Sequence, residues 1–441
     1  MRLDYPIHER TLDNGLRVVV SPDHTVPTVA VNLWVDVGSR HESRGRTGFA
    51  HLFEHLMFQG SRNVASGEHF SALLAVGARL NATTWFDRTN YFETVPTGAL
   101  DLALWLEADR HGHLLDAVNQ ANLDNQRDVV KEEKRQRYDN PPYGQELPDL
   151  YAALFPEGHP YAHPTIGSMA DLDAATLEDV HAFYERWYVP RNTVLTLCGD
   201  VEAEDAFERV ERQFGSLSSR PRPGHPIPVA LAPLTEPVRM TRRADVPHDR
   251  LTIAFRLPAD RTPGFLPAAL ALDILGGLAT SRAVRRLVRG SQQALSVHST
   301  AWGLVGGVSI GFLAIDVANG EDPDRVEAAV LSEVEDLAHA GPTSEEMQAV
   351  RAQSERGWLQ ALAHQDQRAD LISHHTLLHD DPHAVNTHLE EVLAVTPEQI
   401  QAATTTLLRP EQRAVVAYLR APHGAERSEE HTSELQSRQS I

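Results

Sequence analysis

The sequence predicts an α+β protein of two homologous domains, each a mixed β-sheet with helices packed on one face. Three observations carry this expectation. At 441 residues the chain exceeds what one ordinary hydrophobic core holds. A proline-rich stretch at Ser216–Pro237, SLSSRPRPGHPIPVALAPLTEP, interrupts it near the middle and favours an extended linker, since proline cannot donate to a strand ladder. Strands of period two and helices of period 3.6 occur on both sides of that break. The expected division is a first domain over residues 1–215, a linker over 216–237 and a second domain over 238–422.

Taken in order, Asn14-Gly15 marks a hairpin turn, and Val29, Val31, Leu33, Val35 and Val37 alternate as a strand with one face on a core. Phe49 to Phe58 form an amphipathic helix, and a second helix carries Asn125 to Glu133. The apolar run Thr193–Cys198 reads as a buried strand that leads through Gly-Asp-Val-Glu-Ala-Glu-Asp into a helix. Beyond the linker, Leu251, Ile253, Phe255 and Leu257 repeat the opening alternation. Phe312–Val317 then leads through Ala-Asn-Gly-Glu-Asp-Pro-Asp into another helix, which parallels the Thr193–Cys198 unit and suggests weak internal repetition. Residues 427–441 are set apart, because RSEEHTSELQS looks like translated sequencing-adaptor DNA rather than an evolved protein end.

Composition narrows the functional classes. A hydrophobic fraction of 41% with 6% aromatic residues is that of a globular protein. The net charge of −21 disfavours nucleic acid and anionic membrane as partners. No uncharged apolar run is long enough to span a bilayer, and the N-terminus lacks the apolar stretch of a signal peptide, so a cytoplasmic location is expected. Cys198, the sole cysteine, cannot form an internal disulfide.

The chemistry concentrates in His51-Leu52-Phe53-Glu54-His55. On a helix, His51, Glu54, His55 and Phe58 share one stripe, while Phe49, Leu52, Phe53, Leu56 and Met57 fill the opposite one. The apolar stripe holds the helix to a core and aims both imidazoles the other way. Two neutral histidines supply half of a tetrahedral zinc shell, and Glu54 lies within reach of a water beside the metal. The plainer reading is the polar face of an amphipathic helix, but such faces are usually rich in Lys, Glu and Arg.

A third ligand is expected in Asn125–Glu133. Helical geometry places Gln126, Val129, Val130, Glu133 and Arg137 on one face with Leu123 close by, and Glu132 with Asp128, Arg135 and Gln136 on a charged face. A carboxylate driven inward among valines needs a cation or a metal, which selects Glu133 over Glu132. The alternative partner for Glu133 is Arg137 or Lys131.

These residues carry a resemblance. HxxEH is the inverted form of the HExxH zinc motif. Together with the distance to Glu133, the RDVV run before it, LDNGLRVVV at Leu12–Val20, NATTWFDRTNYFETVP at Asn81–Pro96 and HPYAHPTIGS at His159–Ser168, it resembles the pitrilysin/insulinase family of zinc metallopeptidases. Within that family it is similar to the short bacterial branch related to mitochondrial processing peptidase, over roughly Leu12 to Leu419.

The resemblance implies a zinc-dependent endopeptidase with one Zn²⁺ per chain on His51, His55 and Glu133, and Glu54 as general base. It implies peptide substrates bound by strand addition at Asn81-Ala82, for which the plain alternative is an edge strand blunted by Arg79 and Asp87. The family has a glutamate seven residues before the metal glutamate; here Gln126 stands there, able to orient a ligand but not to supply charge. The family also uses an arginine and a tyrosine from a domain without metal. Arg289 matches the arginine, and Leu295 stands where the tyrosine is expected. A heterodimer or homodimer with a related subunit that supplies the Arg/Tyr pair is the implied assembly. Some relatives are non-catalytic assembly subunits, the alternative function.

One further histidine set stands apart. His375, His379 and His383 recur every four residues, with His374 and Asp380 beside them. Asp381-Pro382 should end the helix before His383. No apolar pattern frames the set, so the expectation is a solvated, histidine-rich helix end.

Overall fold

The computed structural model describes residues 3–229, 231 and 234–421; the adaptor-like stretch at 427–441 lies outside the described residues. In the first half, β1 (His8–Thr11), β2 (Arg17–Pro22), β3 (Thr28–Val35), β4 (Arg79–Thr84), β5 (Thr89–Pro96) and β6 (Thr193–Gly199) form one sheet in the order β1-β2-β6-β3-β5-β4. Only β2 and β6 run parallel. In the second half, β7 (Val238–Ala244), β8 (Arg250–Pro258), β9 (Ala294–Trp302), β10 (Val308–Val317) and β11 (Ala414–Arg420) pair in the order β7-β11-β8-β10-β9, with β7 and β11 parallel.

The helices of the first half are α1 (Phe49–Leu56), α2 (Glu68–Ala75), α3 (Leu100–His113), α4 (Gln120–Lys134), α5 (Glu146–Leu154), α6 (Met169–Asp173), α7 (Leu177–Trp187) and α8 (Ala203–Phe214). Those of the second half are α9 (Phe265–Leu272), α10 (Pro323–Ala340), α11 (Ser344–Ala363), α12 (Gln365–His379), α13 (Ala384–Ala394) and α14 (Pro397–Leu407). Among the described residues, no helix is long and apolar enough to cross a membrane.

Without β1, the two sheets have the same strand order and the same single parallel pair, so β2, β6, β3, β5 and β4 correspond to β7, β11, β8, β10 and β9. This two-domain α+β repeat is what the sequence predicts, with one correction. Phe312–Val317 belongs to β10, which takes the place of β5; the counterpart of Thr193–Cys198 is β11. A short strand followed by an acidic loop and a helix is a local pattern common to several positions in such folds, and only pairing across the sheet tells them apart.

In each half, helices on one face build the main core, and the second face is closed by a helix from the other half. The alternating Val29, Val31, Leu33 and Val35 face a core shared with helices of their own half, including Leu52, Phe53, Leu104, Val130 and Phe207. The other face of β3 is buried too. There α12, from the second half, crosses β3 and β6, and Ile372 and Leu377 pack with Val19, Trp34 and Val194. The exchange is reciprocal. α5, from the first half, lies on β7, β8 and β11, where Leu150, Tyr151 and Leu154 meet Ala254, Ile310 and Val416. Between α8 and β7 the described residues hold no helix or strand, and this stretch is tied to the first half by Arg222, whose Nη2 lies 2.7 Å from Asp36 Oδ2.

A polar anchor fixes α12 in place. Asp370 Oδ1 accepts hydrogen bonds from Asn32 Nδ2 (3.1 Å), Trp34 Nε1 (3.0 Å) and Asn90 Nδ2 (3.1 Å). Asp370→Ala removes the acceptor of Asn32 Nδ2 and Trp34 Nε1, while Asn90 Nδ2 keeps Asn32 Oδ1, and is expected to cost about 2–3 kcal/mol, read as a lowered urea midpoint. Asp370→Asn, which keeps an acceptor oxygen, is expected to recover most of that loss. An unchanged midpoint in the alanine variant would mean that apolar contacts alone hold the helix.

Candidate metal centre

The orientation of α1 is fixed at its first turn. Gly48, the N-cap, has φ 89° in the left-handed region, and a β-carbon there would meet the Ile166 carbonyl oxygen at 2.7 Å. Glycine satisfies both the conformation and the close approach. The Glu42 carboxylate takes the free amides, accepting from Gly48 N–H at 2.9 Å and Ala50 N–H at 2.8 Å, while His163 Nε2 lies 3.0 Å from it. A carboxylate at a helix N-terminus satisfies orphan donors and opposes the positive end of the dipole. Phe49, Leu52, Phe53, Leu56 and Met57 are buried as the periodicity requires. Phe58, on the polar stripe, turns into a ring cluster with His69, Phe70 and Tyr91.

α4 starts from a capping box at Asn119 and buries Leu123, Gln126 and Val130. Val129 does not share that stripe, being 42% exposed. At 100° per residue the line through Leu123, Gln126, Val130 and Glu133 leaves Val129 on the flank. Glu133 still points inward, and Glu132 lies outside with Arg135 and Gln136.

The two helices bring the three expected residues together. His51 Nε2 is 3.5 Å and His55 Nε2 3.2 Å from the same oxygen, Glu133 Oε2. The other oxygen, Oε1, pairs with Arg137 Nη1 at 2.8 Å, so the expected alternative partner coexists with the histidine contacts; Lys131 pairs with Asp173. Burial works against the Glu133 charge, but hydrogen bonds from His51 and His55, with Arg137 nearby, hold its carboxyl well below the usual range. Arg137 lies on a π-helical turn, 135–139, that continues α4.

The donor set fits a zinc ion. A tetrahedral zinc about 2.0–2.1 Å from nitrogen and oxygen donors keeps those donors about 3.3 Å apart, the range spanned by these two separations. Glu54 lies on the same helix face, and Thr84 Oγ1, at the end of β4, donates to its Oε2 at 2.7 Å. The imidazoles lack part of the expected support. His51 Nδ1 is buried without a hydrogen-bond partner, and Gln126, though buried on the inward stripe, makes no hydrogen bond to it. Glu42 and Thr84 escape sequence reasoning, because neither is in register with the helix it serves and only folding brings them there.

Asn81 and Ala82 lie on β4, the edge strand of the first sheet. Arg79 is exposed there, but Asp87 does not blunt the edge: it is buried, 2.7 Å from both Arg40 Nε and Tyr161 Oη. Arg289 is exposed on a π-helical segment, 284–290, and no hydrogen bond or ion pair joins it to the metal-centre residues. Leu295 follows on β9, 52% exposed.

The histidine set on α12 is not a solvated helix end. α12 stops at His379 and His383 lies beyond it, as the proline implies, but His375 is only 4% exposed and His379 is largely buried. The helix is wedged between the first sheet and the loop after β8, and this tertiary cover leaves no apolar period in the sequence.

The second half does not repeat these ligand positions. α9 also starts after a left-handed glycine, Gly264 (φ 94°), and counting from it puts Pro267, Leu270 and Ala271 where His51, Glu54 and His55 stand. Counting from the capping boxes at Asn119 and Thr343 puts Gly357 in the place of Glu133.

Comparisons with known proteins identify the family. Residues 17–167 match the family described as insulinase (peptidase family M16), and residues 174–354 match the peptidase M16 inactive domain. The chain is 33% identical to zinc protease PqqE of Helicobacter pylori over 261 residues, 58% of this chain and 57% of that protein. It is 29% identical to an uncharacterized zinc protease of Mycobacterium tuberculosis over 425 residues, 95% of this chain and 94% of that one. A solved structure of a protease from Helicobacter pylori superposes with a TM-score of 0.87 at 25% identity, covering 94% of this chain and 99% of that one. With both halves matched in order, the chain belongs to the peptidase M16 (insulinase/pitrilysin) family.

Proposed function

We propose that the protein is a zinc-dependent endopeptidase that hydrolyses internal bonds of short or unfolded polypeptides. The observation that carries this reading is the convergence of His51 and His55 on one oxygen of Glu133, with Glu54 on the same helix face. His51, His55 and Glu133 would hold one Zn²⁺ per chain, which when bound would supply Lewis acidity for the scissile carbonyl and the attacking water. Glu54 takes a proton from that water and returns it to the leaving amine. Thr84 holds Glu54 Oε2, and the other oxygen would take the proton. The free edge of β4 at Asn81-Ala82 pairs with an extended peptide, whose main chain supplies the ladder bonds.

Leu295 cannot donate the hydrogen bond that a tyrosine would give to a substrate carbonyl. A related subunit, in a hetero- or homodimer, is the proposed source of the Arg/Tyr pair, with Arg289 as this chain's own arginine. The same leucine favours the second reading, a non-catalytic assembly or chaperone-like subunit of this fold.

Substitutions at three residues test the proposal, each read by zinc content and cleavage of a quenched peptide pool. Glu54→Gln is expected to keep the zinc content of the parent and to lose at least about 100-fold in kcat, the usual contribution of a positioned general base. Cleavage at the parental rate would remove Glu54 from the mechanism. Glu133→Ala is expected to lose one zinc per chain relative to the parent, and activity with it. Thr84→Val is expected to lower kcat by about tenfold with little change in KM, and Thr84→Ser to restore it, as a positioning hydroxyl requires. If no version of the protein cleaves and zinc is still bound, the assembly-subunit reading takes its place.

A further inference from the structure

A second convergence of imidazoles on a carboxylate lies on the opposite side of the first sheet from α1. His379 Nε2 is 2.8 Å and His374 Nε2 3.4 Å from Asp260 Oδ2. A ligand atom from each of His374, His375 and His379 lies within 4.8 Å of the others. The arrangement parallels the first centre, where two nitrogens on one helix approach a single carboxylate oxygen from another element at 3.2 and 3.5 Å. Here the helix is α12 and the carboxylate comes from the loop between β8 and α9.

The surroundings favour a bound cation. Asp260 and His379 are largely buried, and the Trp34 ring packs edge-on to His374 at 5.9 Å. Arg261, the neighbouring cation, is engaged elsewhere: its Nη1 donates to His375 Nδ1 at 3.3 Å and its Nη2 to Glu391 Oε1 at 3.1 Å. That bond occupies the acceptor nitrogen of His375 and leaves His374 and His379 as the imidazoles that face Asp260.

We propose that His374, His379 and Asp260 form a second site for a divalent transition-metal ion of the zinc class, which ties α12 to the β8–α9 loop. Two imidazole nitrogens and one carboxylate oxygen suit zinc, cobalt or nickel, whereas calcium and magnesium prefer all-oxygen shells. The site shares no residue with the proposed catalytic centre and does not depend on it. Because α12 covers the first sheet, an ion here reinforces the contact between the two halves.

The test uses the full chain, stripped with chelator, reloaded with Zn²⁺, desalted, and measured for zinc per chain. The parent is expected to hold two ions. His374→Ala/His379→Ala is expected to hold one, His51→Ala/His55→Ala one, and the fourfold variant none. Reloading with Zn²⁺ should also raise the thermal midpoint of the His51→Ala/His55→Ala variant, as a ligand specific for the folded state must. Asp260→Asn keeps the side-chain shape and an acceptor for the Arg261 amide; it is expected to lose the same ion while its metal-free circular dichroism matches the parent's. Two ions in the His374→Ala/His379→Ala or Asp260→Asn protein would overturn the proposal. So would a parent that holds one ion, lost with His51 and His55, although the catalytic centre would then stand. One ion lost only with His374 and His379 would uphold the second site and reject the first.

Discussion

The fold depends on closing the second face of each sheet. A sheet whose central strands are apolar on one side and carry Trp34, Val19 and Val194 on the other cannot leave either side in water. The two halves meet this constraint by exchange, α12 covering the first sheet and α5 the second. Neither half then owns a complete core. Asp370 fixes the register of the exchange with three hydrogen bonds to β3 and β5, and Arg242 pairs with Asp149 on the reciprocal side. The rigidity of the first sheet, and hence the position of α1 upon it, therefore relies on a helix more than 300 residues later in sequence.

On the inner face, the same logic of burial produces chemistry. α1 and α4 both bury apolar residues in the first-half core and bring His51, His55 and Glu133 together between them. Glu133 divides its two oxygens, one towards His51 and His55 and the other towards Arg137. The cost of burying a charge falls when it is shared with donors on both sides, and this keeps the carboxylate ionised where a cation would sit. Glu42 and Thr84 act around this pair: one locks the start of α1, the other holds Glu54.

The internal repeat separates scaffold from site. The left-handed glycines, the capping boxes and the parallel strand pair recur in both halves, because they set how the chain turns and packs. The ligand positions do not recur. Pro267, Leu270, Ala271 and Gly357 leave no ligand side chain at the four corresponding positions, so the second half keeps the architecture without a counterpart of this centre.

By itself the sequence determined the features that depend on local period: the aim of His51 and His55, the choice of Glu133 over Glu132, the turn at Asn14-Gly15 and the two-domain α+β class. Each follows from neighbours within a few residues, where helix and strand geometry act directly. The tertiary structure decided what those periods cannot express. Asp87 is drawn inward to Arg40, away from the edge it adjoins in sequence. The α12 histidines are covered by a sheet and a loop from distant parts of the chain, and Phe312–Val317 takes its place from strand pairing. In each case the deciding contact is non-local, and a chain read residue by residue carries no trace of which surface will close over it.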